Sequence, residues 1–574
     1  MNKYLSLVSI SLLLSGCQSL TGDTSQDTAA PPVALATSSN AAPLSPAEFT
    51  EDSLVSLLTA EIAGQRDRFD IALDNYSLQA QATGDPGIAE RAFRIAEYLG
   101  DEQNALNNAL IWANAAPENL EAQRAAAIQL AQAKRHDEAM LRMEKVLRAN
   151  ADTQFDFLAL SAAQSDRKTR QALLQSFDRL IAKYPSNQQL IFSKAILLNQ
   201  DQRSKEALQL LENQPEKHAV TAIILLRARL LNQLNRGEEA LPLLSNALKK
   251  QPNDTRLRMT YARQLIELNQ LEEARAEFIE LLQQSPEDDD LRFSLALINM
   301  DLEAWQEAQV YFDELLERSG HNDAVYYNLG RVLEELKEPE QALSSYAEVQ
   351  AGNNYLAAQQ RVANLLLNEQ RINETATHFE LERATHAEAI IQLYLIEAEA
   401  LANHQHVDSA WLRINQALKQ IPEDSSLLYT RAMIADKRND LAQLETDLRL
   451  IIERNPNNAM ALNALGYTLA DRTDRLDEAR QLIEKAHQIE PNDAAITDSL
   501  GWVYYRLGDL ATAERLLREA YNAFPDAEVA AHLGEVLWQL GKHKQAQHVW
   551  NTALKSQPNN PILLETIQRL TQQE

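Results

Sequence analysis

A spacing of 34 residues runs through most of this 574-residue chain and constrains its fold more than any other feature. Small residues recur at this interval, and alanines recur again twelve residues after each of them. The two series are Ala228, Ala262, Ala296 and Gly330, then Ala240, Ala274, Ala308 and Ala342. A unit of this length holds one helical hairpin, which cannot bury both of its faces alone and therefore stacks on its neighbours. The period predicts an all-α stack of helical hairpins.

Each unit has a first helix, A, and a second helix, B. The small residues let A and B approach closely, and large apolar side chains such as Leu329 in A and Phe278 in B flank them. Proline follows many B helices because it cannot continue a helix. The C-terminal prolines of this series are Pro422, Pro456, Pro491, Pro525 and Pro558. Only 15 of the 574 residues are glycine, which fits long helices joined by short turns.

The clearest copies resemble the tetratricopeptide repeat. One of them contains Leu500-Gly501 and Tyr504, followed by Ala513, Leu517, Ala520 and Pro525. These residues match the family's Leu-Gly pair, Tyr, Ala, large apolar residue, Ala and Pro in order. The resemblance implies a right-handed superhelix, or α-solenoid, that binds segments of other proteins along its A helices. It covers about fifteen possible hairpins from residue 53 onward.

The repeats divide the chain into five segments. Copies near the N-terminus are degenerate; residues 188–219 are shortened, and Thr375 replaces an expected alanine further on. The predicted boundaries are a signal peptide at 1–16, a tether at 17–48, degenerate repeats at 49–219, the main array at 220–558 and a capping helix at 559–574.

The N-terminus resembles a bacterial lipoprotein signal. Lys3 precedes an apolar stretch that is too short to span a bilayer, and Leu14-Ser15-Gly16-Cys17 then resembles a lipobox. The resemblance implies cleavage before Cys17 and lipidation of that residue. The alternative is a buried free cysteine in an uncleaved helix.

The predicted location is the periplasmic side of the outer membrane. Gln18 follows the cysteine, where an Asp in bacterial lipoproteins favours retention in the inner membrane. Residues 18–48 are rich in Ser, Thr, Ala and Pro, which predicts a flexible tether. Contact with the membrane is expected through the lipid alone.

The chemistry of the chain argues against an enzyme. There is one cysteine, and no phosphate-binding loop, nucleophile elbow or zinc-protease motif occurs. The net charge of −28 disfavours nucleic acid. His404 and His406 form the one close histidine pair and are expected in a turn, so we predict no metal or cofactor. An unrecognised active site near residues 150–220 is the remaining enzyme alternative.

The partner-binding candidates come from the register of helix A. Aromatic and arginine side chains are common anchors of protein interfaces. The candidates are Met259, Arg263, Tyr327, Arg331, Asn463, Tyr467, Asp498, Trp502, Tyr505, Arg506 and Trp538. Packing of these side chains against adjacent repeats is the competing interpretation.

The whole layout resembles outer-membrane tetratricopeptide lipoproteins that act as adaptors of carboxyl-terminal processing proteases. The resemblance implies two kinds of partner: a periplasmic protease of that class, and its substrates, which are hydrolases of peptidoglycan cross-links. A scaffold for assembly of pili, secretion machinery or outer-membrane proteins is the alternative.

Overall fold

The structure is a computed structural model that describes residues 50–149, 153, 155–162, 165–213 and 220–572. The described residues contain 31 α-helices and no β-strand, so the all-α prediction is confirmed. Two compact units divide them, one covering described residues up to Tyr311 and the other starting at Phe312. The predicted signal peptide, Cys17 and the tether lie outside the described residues.

The first unit contains fifteen complete helices, and a sixteenth crosses its end. They are α1 (Glu51–Gln65), α2 (Phe69–Thr83), α3 (Pro86–Leu99), α4 (Glu102–Ala115), α5 (Leu120–Gln132), α6 (His136–Arg148), α7 (Phe155–Ser161), α8 (Arg167–Lys183), α9 (Gln188–Gln200), α10 (Ser204–Glu212), α11 (Thr221–Gln233), α12 (Gly237–Lys250), α13 (Thr255–Glu267), α14 (Leu271–Gln284), α15 (Asp289–Asp301) and α16 (Trp305–Ser319).

The second unit contains the remaining fifteen helices. They are α17 (Asp323–Glu335), α18 (Pro339–Ala347), α19 (Tyr355–Asn368), α20 (Ile372–Thr385), α21 (Ile390–Asn403), α22 (Val407–Gln420), α23 (Ser425–Lys437), α24 (Leu441–Arg454), α25 (Ala459–Arg472), α26 (Leu476–Ile489), α27 (Ala494–Arg506), α28 (Leu510–Ala523), α29 (Ala527–Gln539), α30 (His543–Ser556) and α31 (Pro561–Thr571).

Odd-numbered helices from α1 to α29 are A helices, and even-numbered helices are B helices. Most A helices begin after an Asp or Asn whose side chain accepts a hydrogen bond from a backbone N–H of the first turn. Such an N-cap satisfies donors that have no partner inside the helix. Asn119, Asp254, Asp288, Asn458, Asp493 and Asp526 are examples.

The turns from A to B repeat one backbone device. In thirteen of them a residue has positive φ, and ten of these residues are not glycine. They are Asp67, Gly100, Lys134, Gln202, Asn235, Asn269, Glu303, Lys337, Gln370, Gln405, Asn439, Gly508 and Gly541. His404 and His406 flank one of them, in the turn from α21 to α22, as the sequence predicted.

The close approach of helix A to helix B explains why small residues recur at a regular spacing along the chain. A Cβ built on Gly534 would lie 1.9 Å from Nε1 of Trp550, and one on Gly501 would lie 2.6 Å from Cγ of Leu517. Neither contact is possible without movement, so only glycine fits beside these large B-helix side chains. The alanines Ala228, Ala240, Ala262 and Ala274 are likewise buried.

The degenerate copies keep the architecture with local changes. Helix α10 has only nine residues, consistent with the predicted shortening. Thr375 is fully buried at its alanine position, where its hydroxyl donates to the carbonyl of Arg371 at 3.1 Å. At the C-terminal end, α31 lies where a capping helix was predicted, and its Leu563 and Leu570 are buried in one cluster with residues of α29 and α30.

Candidate functional site: the faces of the A helices

The A helices carry two rows of side chains that lie one and two turns past the helix start. In the second unit, the C-terminal part of the first row is Tyr429, Asn463, Asp498 and His532. The second row is Met433, Tyr467, Trp502 and Val536. We call the part of these rows from α25 to α29 the C-terminal face. It contains four of the predicted binding candidates.

His532 lies at the centre of the C-terminal face. Its side chain is 6% exposed, and its Nδ1 lies 2.9 Å from Oδ2 of Asp498 on the neighbouring A helix. The imidazole stacks on the indole of Trp502, with ring centroids 4.2 Å apart and an interplanar angle of 24°. Asp498 and Trp502 are themselves 6% and 8% exposed. The three side chains therefore bind one another across two repeats.

Tyr467 extends this cluster across three repeats. Its hydroxyl donates to Oε1 of Glu528 at 3.0 Å and lies 3.4 Å from Nε2 of His532. Tyr467 is on α25, whereas both of these partners are on α29. Burial, followed by the nearby carboxylate of Glu528, raises the pKa of Tyr467 above its ordinary value. The neutral phenol is therefore a hydrogen-bond donor that connects the A helices on either side of α27.

The charge state of His532 depends on its surroundings. Burial lowers its pKa, but Asp498, Glu528 and Glu535 raise it, and the net pKa lies above the ordinary value. The pair with Asp498 favours the protonated imidazole, because the carboxylate compensates for removal of that charge from water. Three atoms in this region have no hydrogen-bond partner among the described residues: Oδ1 of Asn463, Oδ1 of Asp498 and Nε1 of Trp502.

Three further binding candidates contact other residues of the same chain. The hydroxyl of Tyr505 donates to Glu535 at 2.9 Å, and Arg569 of α31 forms an ion pair with the same carboxylate. Arg506 donates to the backbone carbonyl of Asp471 at 2.8 Å. Trp538 stacks on Trp550 with ring centroids 5.5 Å apart. Contacts between repeats thus occupy most of the candidate side chains near the C-terminus.

An Asp–His pair also occurs in catalytic sites, but this one lacks the features of such a site. The imidazole is buried, and its Nε2 faces a tyrosine whose pKa is raised rather than lowered. A nucleophile needs an accessible, activated atom beside the base. The arrangement in the C-terminal face therefore stabilises packing between repeats.

The remaining candidates lie on A helices nearer the middle of the chain. In the second unit, the ring of Tyr327 is 6.0 Å from Tyr346, and Arg331 donates to Oδ1 of Asn328 at 3.1 Å. In the first unit, Met259 is half-buried and Arg263 is exposed. Among the described residues, Arg263 has no ion-pair partner.

The first unit shows that the candidates Met259 and Arg263 belong to longer rows. The first row there is Phe192, Leu225, Met259 and Phe293, and the second is Ile196, Arg229, Arg263 and Leu297. We call these eight residues the basic face. The other six residues and His532 were not among the predicted candidates, although the repeat spacing locates them; this spacing is 33 residues from Phe192 to Leu225 and 34 in the units that follow. Their alignment needed the register of every A helix, including the degenerate ones.

Other kinds of site are missing from the described part of the chain. No group of three His, Cys, Asp or Glu side chains there is arranged to hold a metal ion. None of the described helices combines the length and apolar content that a membrane crossing requires. Cys17 lies outside the described residues, so its lipidation stays a prediction.

Comparisons with known proteins identify the repeats. Models of the tetratricopeptide repeat match residues 231–298, 293–357, 472–532 and 527–560. The chain is 56% identical over 572 residues to TPR repeat-containing protein PA4667 of Pseudomonas aeruginosa, covering 100% of this chain and 97% of that protein. It is 27% identical over 173 residues to human tetratricopeptide repeat protein 7A, covering 30% of this chain and 16% of that protein.

Yeast Tom70 is one of the similar solved structures, with a TM-score of 0.31, 15% identity and coverage of 90% of this chain and 99% of that one. The relation to PA4667 extends over nearly the full length of both proteins, and the repeat models match four stretches of this chain. This chain therefore belongs to the family of tetratricopeptide repeat-containing proteins that includes PA4667.

Proposed function

We propose that this protein is a lipid-anchored adaptor that holds a periplasmic carboxyl-terminal processing protease and its substrates on the faces of its A helices. Tetratricopeptide repeat proteins are generally non-catalytic scaffolds that bind other proteins. The observation that carries the proposal is the basic face, where aligned side chains of successive A helices stay available to a partner. The C-terminal face, in contrast, is occupied by its own contacts.

The finer features of the proposal come from the resemblance of the sequence to LbcA, the adaptor of the protease CtpA. The lipobox ending at Cys17 and the segment 18–48 support attachment to the outer membrane, facing the periplasm. The proposed substrates are hydrolases that cut peptidoglycan cross-links. One scaffold that holds both partners raises their effective concentration and makes each encounter a local event.

Affinity capture from cells tests the adaptor role directly. The full-length protein is cross-linked in the periplasm and purified, with a Cys17→Ser variant as the matched control for anchoring. We expect the protease and at least one cell-wall hydrolase in the same complex. Recovery of only secretin or barrel-assembly components would contradict the adaptor role and favour the assembly-scaffold alternative.

Reconstitution tests the mechanism. The purified protein is expected to cleave nothing by itself and to accelerate cleavage of the hydrolase by the protease. Deleting residues 458–574 removes the C-terminal face and α31, and comparison with the full chain measures how far that end contributes to each partner. An unchanged cleavage rate on addition of the full-length protein would refute activation.

Anchoring has its own readout. Radiolabelled palmitate is expected to enter the wild-type protein and not the Cys17→Ser variant, since that residue carries the proposed thioether. Equal labelling of both proteins would refute the assignment of Cys17.

A further inference from the structure

We propose that the basic face binds an acidic amphipathic segment of a partner protein, with Arg229 and Arg263 contacting two of its carboxylates. This inference rests on the proposed protein-binding function and specifies the chemistry of the partner. Four observations carry it: the local charge, the unpaired state of the two arginines, the engagement of the carboxylates at the two ends of α13, and the apolar row beside the arginines.

The charge of this region is opposite to that of the chain. Residues 221–266 contain eight Lys and Arg but only three Asp and Glu, in a protein with a net charge of −28. Clustered positive charge attracts an acidic partner to this part of a protein whose net charge is otherwise negative. The segment corresponds to α11, α12 and most of α13.

Arg229 and Arg263 are exposed and occupy the same position in successive A helices, 34 residues apart. Neither has an ion-pair partner among the described residues. Most other arginines of the described chain are paired, and the neighbouring Arg236 and Arg258 bind Glu239 and Glu277. Two aligned guanidinium groups are thus left for an external ligand.

The carboxylates at the two ends of α13 have other partners. Asp254 caps α13 and accepts from the hydroxyl of Thr221 at 2.9 Å. Glu267 accepts from the side-chain amide of Asn232 at 3.0 Å. Both groups are held by contacts between repeats, so neither neutralises Arg229 or Arg263 within ion-pair distance.

The adjacent row supplies apolar contact. Phe192, Leu225 and Met259 are half-buried and pack on the core, and Phe293 continues the row on α15. Ile196 and Leu297 flank the two arginines in the second row. A matching segment has apolar side chains along one edge and two carboxylates roughly 10 Å apart, the spacing of packed helices. Guanidinium groups bind carboxylates through two parallel hydrogen bonds, which favours this chemistry over a diffuse negative charge.

The test uses the full chain and fluorescent helical peptides of about 20 residues. One peptide has leucine along one edge and glutamate beside it, and the matched peptide has glutamine in place of glutamate. Fluorescence anisotropy measures binding to the wild type and to an Arg229→Gln/Arg263→Gln variant. We expect the glutamate peptide to bind the wild type at least about tenfold more tightly than it binds the arginine variant. We expect the same difference between the glutamate and glutamine peptides in their binding to the wild type.

The control variant is Lys249→Gln/Lys250→Gln, which removes the same charge from exposed positions at the end of the B helix α12. We expect it to weaken binding of the glutamate peptide much less than the arginine variant does, because the two lysines add to the charge of the region but lie outside the basic face. Equal weakening by both double variants, or by neither, would overturn the assignment of the two arginines. Equal binding of the two peptides would show apolar contact alone and would overturn it as well.

Capture of the natural partners separates this inference from the proposed function. If the arginine variant still captures the protease and hydrolase as the wild type does, the acidic-segment inference fails while the adaptor role stands. If the wild type captures neither protein, the adaptor role fails regardless of the peptide result.

Discussion

The two faces differ in how their polar groups are satisfied, although they occupy the same two rows of the A helices. In the C-terminal face, Asp498, His532 and Tyr467 bind groups on other A helices; the first two are buried and Tyr467 is half-buried. In the basic face, Arg229 and Arg263 are exposed and unpaired among the described residues. The same register position thus serves cohesion between repeats in one unit and remains available in the other.

This difference has a physical reason in the choice of side chains. Rows that place an acid beside a histidine and a tyrosine can pair with themselves, because successive A helices lie side by side. A row that repeats arginine cannot, since like charges do not pair. Self-complementary rows therefore stabilise the stack, whereas the guanidinium groups of a row of one charge stay in solvent and remain available to a partner.

The largest loss of stability is expected when the central aromatic ring of the C-terminal face is removed. Trp502→Ala removes the stack on His532 and leaves a cavity, which is expected to destabilise the terminal repeats by about 3–5 kcal/mol. Hydrogen–deuterium exchange of α27 and α29 measures this locally, because a repeat protein need not unfold in one step. Leu297→Ala, at the same row position but half-buried in the other unit, is expected to cost less. An equal or larger loss of stability in Leu297→Ala would contradict the difference between the two faces.

A smaller loss is expected when the buried pair is broken. Asp498→Asn removes the charge that compensates His532, and we expect a cost of about 1–3 kcal/mol in the same exchange experiment. Asp471→Asn is the control, because Asp471 is exposed and lies on the neighbouring A helix α25. If both variants exchange alike, the pair between Asp498 and His532 contributes nothing to the face.

The pair also predicts a dependence on pH. The pKa of His532 is raised in the folded protein, so the stabilisation by its charge is fully present below the unfolded pKa of about 6.5. It is lost as the pH rises through the folded pKa. We expect α27 and α29 to exchange faster on that alkaline side, beyond the intrinsic effect of pH, and His532→Gln to remove the extra acceleration. If the extra acceleration of exchange persists in His532→Gln, a group other than His532 causes it.

The smallest change in stability is expected for the arginines of the basic face. Arg229→Gln/Arg263→Gln is expected to change stability by less than about 0.5 kcal/mol, because neither guanidinium has an ion-pair partner to lose among the described residues. Exchange of α11 and α13 in the absence of ligand gives the measurement. Marked destabilisation would mean that these arginines hold the repeats together, as the groups of the C-terminal face do.

Sequence reasoning located the helices and their pairing well because those follow from local periodicity. The capping helix predicted within residues 559–574 corresponds to α31, Pro561–Thr571. The turn between α25 and α26 differs from the thirteen turns with positive φ, because the backbone of its Thr473 is extended. Each of these features depends on residues close together along the chain.

The faces were harder to predict because exposure depends on neighbouring repeats. Trp502 and Asp498 have the right register for a binding groove, yet His532 of the next A helix contacts both of them. Arg263 has the same kind of register and stays exposed. The outcome depends on whether the side chain across the repeat boundary is complementary, and the spacing within one repeat does not contain that information.

Local sequence patterns define the repeat length, the alternation of A and B helices and the positions where a small residue leaves room for a large one, as at Gly534 and Trp550. These follow from steric fit within one hairpin. Which A-helix side chains bind one another and which stay exposed to solvent follows only from the packing of the repeats, as His532 and Arg263 illustrate. The physical reason is that hydrogen bonds and ion pairs between repeats depend on the three-dimensional alignment of residues about one repeat apart in the sequence, such as Tyr505 and Glu535 or Asp498 and His532.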